Sequence, residues 1–176
     1  TRTPSRGQTP FGFGFDSRGN LVVAEAFSGM PGGGALTSYD ISEDGALTAI
    51  SESVRNGQTD VCWVVITGDG RYVYTANFGS GTISSYSLSS GGELRLLNGR
   101  AAFTGALSQP VDLALSADSR FLYLLLRGAY YPSFGKPHDG LGFGPEMCRH
   151  SHGSTGIAGV VYYAADHFPS ECRDSV

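Results

Sequence analysis

The chain has 176 residues, of which 12 are Lys or Arg and 16 are Asp or Glu, so its formal net charge is −4 at pH 7. Nucleic-acid binding requires a basic face, and this charge argues against it. No apolar run approaches the roughly 20 residues that a membrane-spanning helix needs. We therefore predict a soluble protein with no nucleic-acid or membrane partner, and the sequence does not decide between a cytoplasmic and a secreted or periplasmic location.

The three cysteines are too few and too widely spaced to form a disulfide framework. They are Cys62, Cys148 and Cys172. Cys62 lies within an apolar run beside Trp63, which predicts a small buried hydrophobic side chain and not a nucleophile.

The first patterned segment is Phe-Gly-Phe-Gly-Phe at residues 11–15, which predicts a strand over residues 9–15 with three aromatic side chains on one face. Gly12 and Gly14 leave the opposite face open to a close neighbour, and we interpret this as tight packing between sheets. Three more strands are predicted over residues 21–26, 35–41 and 46–53.

The next stretch contains three short strands joined by tight turns. Residues 61–67 form an unbroken apolar run, a Gly-Asp-Gly turn follows at residues 68–70, and residues 71–76 and 82–88 form two further strand patterns. Such short links allow only antiparallel pairing, because a parallel return needs a connection of about a dozen residues.

These strand patterns repeat along the chain. Residues 15–24 align with residues 66–75 at an offset of 51, and residues 115–124 align with the same stretch at an offset of 49. A unit of about 50 residues with four short strands is typical of a propeller blade. We predict an all-β fold, an incomplete β-propeller of four-stranded antiparallel blades, with repeats near residues 9–58, 59–107 and 108–129.

A ring of seven such blades needs roughly 350 residues, so we interpret the chain as a fragment of such a ring, with a partial propeller over residues 1–129. Residues 130–176 contain all four histidines and, apart from a candidate strand at residues 160–164, have no strand or helix period, so we predict an irregular tail outside the propeller. Its Cys148, His150 and His152 lack a second ligand pair, so no metal site is predicted.

An open arc exposes the apolar faces of its end blades, which predicts self-association.

Residues 9 to about 128 resemble the lactonase family of seven-bladed β-propellers, which includes 6-phosphogluconolactonases and carboxymuconate-lactonising enzymes. The motifs that carry the resemblance are Asp-Gly-Arg at residues 69–71, Tyr-Val-Tyr-x-x-Asn at 72–77, Gly-Thr-Ile-Ser-x-Tyr at 81–86 and Asp-Gly-x-Leu at 44–47. The resemblance implies hydrolysis or formation of a sugar or muconate lactone, without a cofactor. A small lactone or a carboxylated sugar is the expected partner.

In a propeller, the link into the first strand of a blade and the link out of its second strand lie on the same rim of the central channel. The sequence places polar and charged residues at these links. They are Thr9, Asp60 and Gln109 on the way in, Glu25, Asn77 and Arg127 on the way out, and Asp112 deeper on its strand.

Lactone chemistry needs an acid or base at the ring oxygen and a cation for the developing oxyanion. Glu25 or Asp60 is the candidate acid or base, and Arg127 is the candidate cation. The candidate substrate-binding residues are Asn77, Gln109 and Asp112.

An alternative interpretation is that Asp60 and Asn77 only satisfy backbone groups at strand ends. No histidine occurs within the repeats, so no catalytic residue is carried over from the family. The sequence therefore leaves two alternatives to an enzyme: a non-catalytic propeller that binds a ligand or a protein, and an inactive fragment.

Overall fold

The structure, a computed structural model, describes residues 3–126, which lie in the first of two compact units, Thr1–Ala129. The predictions for Arg127 and for residues 130–176 fall outside the described residues. Within residues 3–126 no helix has the length and hydrophobicity to cross a membrane.

The described residues form three antiparallel sheets that follow one another along the chain. The first two are four-stranded, with strand orders β1-β2-β3-β4 and β5-β6-β7-β8, and the third pairs β9 with β10. The predicted all-β fold, an incomplete propeller of four-stranded blades, is confirmed. The strands are β1 Pro10–Phe15, β2 Leu21–Glu25, β3 Ala35–Ile41, β4 Leu47–Arg55, β5 Val61–Ile66, β6 Tyr72–Asn77, β7 Thr82–Leu88, β8 Leu94–Phe103, β9 Pro110–Leu115 and β10 Leu122–Leu126.

The repeat register differs by one residue from the predicted alignment after the first hairpin. Phe15 pairs with Leu21 in blade 1 (β1–β4), whereas Ile66 pairs with Val73 in blade 2 (β5–β8). The turn of blade 1 is therefore one residue shorter. As a result, β2 aligns with β6 at an offset of 52, while β1 aligns with β5 at 51, so a single offset of 51 through the turn is wrong.

Neighbouring blades pack face to face, with the inner strands β1, β5 and β9 side by side. We call the face of a blade that points towards the preceding blade its front face, and the opposite face its rear face. Val64 on the front of β5 belongs to the same buried cluster as Val22 of blade 1. Leu113 of β9 is likewise buried with Ala76 of blade 2. These two clusters are the core of the described region.

The glycines of β1 allow β5 to approach closely. A Cβ atom added to Gly12 would lie 2.6 Å from the carbonyl oxygen of Cys62, and one added to Gly14 would meet its nearest atoms, of Ile66, at 3.8 Å. The predicted tight packing between sheets is therefore confirmed. Phe13 and Phe15 lie on the front face of β1 and are exposed, whereas Phe11, which is also exposed, contacts Trp63 of blade 2 edge-on with 6.3 Å between the ring centroids.

The inner hairpins end in turns held by aspartate side chains, as their positions after Gly or small residues predict. Asp69 accepts hydrogen bonds from Thr67 Oγ1 at 2.6 Å and from Arg71 Nε at 2.7 Å. These bonds lower the pKa of Asp69 to about 2. Asp118 accepts from Ser116 Oγ at 2.6 Å in the third blade. Both aspartates therefore stabilise turns at the end of the blades opposite the candidate rim.

Candidate functional site

The linker into each inner strand and the loop after the second strand are joined by two backbone hydrogen bonds. In blade 1 the amides of Ala26 and Phe27 donate to the carbonyls of Thr9 and Gln8, at 3.0 and 3.1 Å. Blade 2 repeats both bonds, from Phe78 to Asp60 at 2.8 Å and from Gly79 to Thr59 at 3.1 Å. Linker and loop therefore lie together at one end of each blade, which we call the rim.

Three residues at equivalent rim positions share a left-handed backbone. Thr9, Asp60 and Gln109 immediately precede β1, β5 and β9, and their φ angles are 54°, 60° and 47°. This conformation costs a residue other than glycine about 1–2 kcal/mol. Because backbone strain of this kind concentrates at functional sites, its recurrence in three blades points to the rim.

Asp60 is the acidic group of this rim. Its side chain is half-buried, and within residues 3–126 its carboxylate accepts no hydrogen bond and forms no ion pair. Burial raises the pKa of Asp60 above that of an ordinary aspartate. A carboxylate that is unpaired, partly desolvated and a stronger base than usual is suited to proton transfer.

Cys62 lies two residues further along β5. Burial, followed by the nearby charge of Asp60, raises the pKa of the Cys62 thiol to about 12. The thiol is therefore protonated at neutral pH, and a protonated thiol is a poor nucleophile. This agrees with the prediction of a small hydrophobic side chain, although Cys62 is half-buried and not fully enclosed.

Glu25 ends β2 and is fully buried. Its carboxylate accepts bonds from Thr37 Oγ1 at 2.6 Å, Ser53 Oγ at 2.7 Å, Gly7 N at 2.8 Å and Ser5 Oγ at 3.4 Å. Four donors from the linker, β3 and β4 thus occupy its oxygens. The carboxylate has no exposure to the channel mouth, and its geometry is that of an anchor between strands.

Asn77 ends β6, in the same place as Glu25 in blade 1, and is also fully buried. Its Oδ1 accepts from Asn56 Nδ2 at 2.9 Å, and its Nδ2 donates to Thr82 Oγ1 at 3.0 Å and Ser84 Oγ at 2.9 Å. Blades 1 and 2 therefore each bury one polar side chain where the second strand meets the incoming linker. This supports the alternative interpretation of Asn77 as a satisfied polar group at a strand end, with side chains as its partners.

The remaining predicted residues are separated by the structure. Gln109 is half-buried at the rim, and its carboxamide makes no hydrogen bond within the described part of the chain. Asp112 is the third residue of β9 and accepts from its neighbour Leu113 N at 2.7 Å. It pairs with Leu125, lies away from the rim, and has its pKa raised by burial. Arg127 follows the last described residue.

A pair of hydroxyl groups at the rim of blade 1 was missed by the sequence reasoning. Thr9 Oγ1 lies 3.1 Å from Ser28 Oγ and also accepts from Ser28 N at 3.1 Å, and both side chains are exposed. The two residues are 19 positions apart, and no motif signals their contact. The candidate groups at the rim are therefore the Asp60 carboxylate, the Gln109 carboxamide and these two hydroxyls. No group of three or more metal-ligating side chains occurs within residues 3–126.

Three solved structures share the fold. A functionally unknown protein from Desulfotomaculum acetoxidans is 20% identical with a TM-score of 0.55, and the match covers 66% of this chain and 34% of that one. The periplasmic gluconolactonase of Pseudomonas aeruginosa is 20% identical with a TM-score of 0.52, and the match covers 69% of this chain and 34% of that one. A putative 6-phosphogluconolactonase from Bacteroides uniformis is 25% identical with a TM-score of 0.50, and the match covers 64% of this chain and 34% of that one. The chain thus spans about a third of the length of each. No curated protein matches it.

The family comparison covers the best-defined part of the fold. Residues 22–110, just over half of the chain, match the family described as "Lactonase, 7-bladed beta-propeller". The matched range runs from β2 through blade 2 to the start of β9. The chain therefore belongs to the lactonase family of seven-bladed β-propellers.

Proposed function

We propose that this chain supplies part of a channel mouth that binds and hydrolyses a sugar lactone, with Asp60 as the general base. The observation that carries the proposal is the state of Asp60, a half-buried carboxylate without a polar partner in residues 3–126 and with a raised pKa. Its left-handed backbone holds it at the rim, at the start of an inner strand.

The chemistry assigns a role to each rim side chain. Asp60 takes a proton from a water molecule that attacks the lactone carbonyl carbon. The bond from that carbon to the ring oxygen then breaks, and the ring oxygen receives the proton from Asp60. The Gln109 carboxamide donates a hydrogen bond to the carbonyl oxygen, where negative charge develops. The hydroxyls of Thr9 and Ser28 bind substrate hydroxyls.

The polar character of the rim favours a sugar lactone over a muconate lactone. Hydroxyl and carboxamide groups pair well with a polyhydroxylated ring, whereas a muconate lactone carries carboxylates that call for cations. Arg18, Arg71 and Arg120 of the inner hairpins lie at the opposite end of the blades. Arg55 reaches the rim loop of blade 1, where its guanidinium donates to the Gly33 carbonyl at 2.9 Å and lies over the Phe27 ring. Two of the structural relatives are named as a periplasmic gluconolactonase and a putative 6-phosphogluconolactonase, which supports a sugar lactone as the substrate class. Arg127 stays a candidate for the oxyanion cation.

Hydrolysis of glucono-δ-lactone by the chain, measured above the spontaneous rate, tests this proposal. Asp60→Asn keeps the shape of the side chain and removes the base, so we expect kcat/KM to fall by about 10²-fold or more. Asp69→Asn makes the same chemical change at the opposite end of the blades and should leave the rate unchanged. No acceleration by the wild-type chain, or equal rates for wild type and Asp60→Asn, would overturn the assignment.

A second candidate is a non-catalytic ligand-binding propeller. It is favoured by the distribution of histidine, the commonest catalytic acid or base, because all four histidines follow residue 129. This candidate predicts that a sugar lactam, which resembles the lactone but resists hydrolysis, binds at the rim. It also predicts that Asp60→Gly abolishes this binding and that no lactone is turned over. Nuclear magnetic resonance titration with the lactam measures this binding, and turnover of glucono-δ-lactone by the same chain distinguishes the two candidates.

A further inference from the structure

The rim of blade 1 carries an arginine that no carboxylate neutralises within residues 3–126. We propose that the Arg55 guanidinium binds an anionic group of the substrate, a phosphate or a carboxylate remote from the lactone carbonyl, and so determines which sugar lactones the rim accepts. This inference rests on the proposed sugar-lactone function and adds to it a charged subsite on the blade 1 side of Asp60.

The side chain of Arg55 is held in place by two contacts on the rim loop. Arg55 ends the outer strand β4, and its side chain extends inward over the loop that follows β2. One guanidinium nitrogen donates to the Gly33 carbonyl at 2.9 Å, and the guanidinium carbon lies 4.3 Å from the centre of the Phe27 ring. Stacking and hydrogen bond together fix the orientation of the planar group. A cation fixed in this way loses little freedom when it binds a ligand.

The guanidinium of Arg55 keeps most of its capacity to donate hydrogen bonds. The Gly33 carbonyl accepts from one nitrogen, and an arginine side chain has several further N–H donors. Other arginines are neutralised by carboxylates, and they are Arg6, Arg18 and Arg71. Arg55 forms no ion pair within the described part of the chain and is exposed. An exposed guanidinium with free donors is the group that recognises phosphate and carboxylate.

The loop beneath the guanidinium joins the hydroxyl pair of blade 1 to the linker that carries Asp60. Near the start of the loop, Ser28 contacts Thr9 through both its hydroxyl and its amide. Further along, the amide of Gly32 donates to Thr59 Oγ1 at 3.1 Å, and Thr59 immediately precedes Asp60. Blades in a ring pack through their faces and not through their ends, so closure of the ring leaves this rim open. Arg55 therefore belongs to the same channel mouth as the candidate base.

The order of the blades gives the substrate an orientation. Blade 2 packs between blade 1 and the third blade (β9–β10), so Asp60 lies between the rim loop of blade 1 and Gln109. With the Gln109 carboxamide at the lactone carbonyl, Arg55 faces the opposite end of the sugar. We therefore expect Arg55 to bind an anionic group at that end and not the developing oxyanion.

Nuclear magnetic resonance titration of the full chain with ligands that cannot be hydrolysed tests this inference without relying on catalysis. The ligands are glucitol, which is neutral, gluconate, which carries a carboxylate, and glucitol 6-phosphate. We expect the wild type to bind one of the two anions at least about tenfold more tightly than glucitol. A preference for glucitol 6-phosphate identifies a phosphate subsite, and a preference for gluconate identifies a carboxylate subsite.

Three variants assign the preference to one side chain. Arg55→Gln removes the charge and keeps a polar side chain, so the preference for the anion should disappear while the affinity for glucitol stays unchanged. Arg55→Lys keeps the charge without the planar fork and should retain part of the preference. Arg100→Gln is the matched control, because Arg100 is also exposed on an outer strand and lies 4.7 Å from the centre of the Phe103 ring of its own strand. This variant should keep the full preference.

Several results would overturn the inference. They are a wild type without anion preference, an unchanged preference in Arg55→Gln, an equal loss in Arg100→Gln, and a parallel loss of glucitol binding in Arg55→Gln, which would indicate a purely structural role. Turnover of glucono-δ-lactone reports separately on the proposed function. Turnover without anion preference refutes the subsite alone, whereas anion preference without turnover refutes hydrolysis and retains Arg55 as an anion-binding residue.

Discussion

The left-handed backbone at the rim predicts that glycine is more stable than alanine at these positions, which is the reverse of the usual order. At most positions glycine is less stable than alanine by about 0.5–1 kcal/mol, because its unfolded chain has more freedom. At Gln109, where φ is 47°, we expect the reverse. Gln109 also precedes Pro110, which restricts its backbone further. Its side chain makes no hydrogen bond within the described residues, so replacing it removes no contact of that kind.

The expected magnitude follows from two opposing terms. Relief of the left-handed strain is worth about 1–2 kcal/mol, and the entropy of glycine offsets about 0.5–1 kcal/mol of it. Gln109→Gly should therefore be more stable than Gln109→Ala by about 0.7 kcal/mol, within a range of about 0–1.5 kcal/mol. For a unit of this size the difference corresponds to roughly 2–4 °C in Tm.

Thermal and urea unfolding of the two variants, followed by circular dichroism, measure this difference. Ala102→Gly on the exposed part of β8 is the control, since no left-handed φ occurs there and glycine should destabilise in the usual direction. If Gln109→Gly is less stable than Gln109→Ala, the left-handed backbone at the rim is not present in solution. The inference that the rim stores strain for a functional purpose would then be refuted.

The remaining predictions concern the anchors, the blade contact and the turns. Glu25→Ala should cost about 2–4 kcal/mol in urea unfolding, because it leaves Thr37, Ser53 and Gly7 without their buried acceptor; a loss below 1 kcal/mol would contradict the anchor role. Gly12→Ala should destabilise the fold by about 1–3 kcal/mol, because the added Cβ would lie 2.6 Å from the Cys62 carbonyl oxygen. Gly14→Ala should change the stability by less than about 1 kcal/mol, because its added Cβ meets no atom closer than 3.8 Å. Equal effects of the two variants would argue against the close approach of β5. The lowered pKa of Asp69 means that its ionised form stabilises the fold above the ordinary aspartate pKa, and this contribution is lost as pH falls towards about 2. Asp69→Asn should therefore show a shallower acid loss of stability below pH 3.8 than the wild type, and identical pH curves would contradict the turn role.

The sequence was sufficient to predict the strands because their signals are local. Alternating or continuous apolar runs ended by Gly and Asp specify the strands of the two complete blades, and the 50-residue repeat specifies how the sheets follow one another. The one-residue difference between the first two hairpins was missed because the two turns have similar composition. It appears only in the pairing of Phe15 with Leu21 and of Ile66 with Val73.

The candidate site was predicted less completely because its properties depend on contacts between distant residues. Position along the blade was enough to place Asp60 and Gln109 at the rim. Nothing in the local sequence distinguishes Asp60, which has no polar partner in the described region, from Glu25, whose carboxylate is enclosed by four donors. The left-handed backbone also has no signature of residue type, since Thr, Asp and Gln hold it in the three blades.

The pH dependence of kcat/KM for glucono-δ-lactone hydrolysis tests the role of Asp60 most directly. A base must be ionised to act, and burial raises the pKa of Asp60, so the rate should rise with pH through a value above that of an ordinary aspartate. Asp60→Asn should remove this acid limb together with most of the rate, while Asp69→Asn should keep both. An unchanged acid limb in Asp60→Asn would show that another group is the base and would contradict the account.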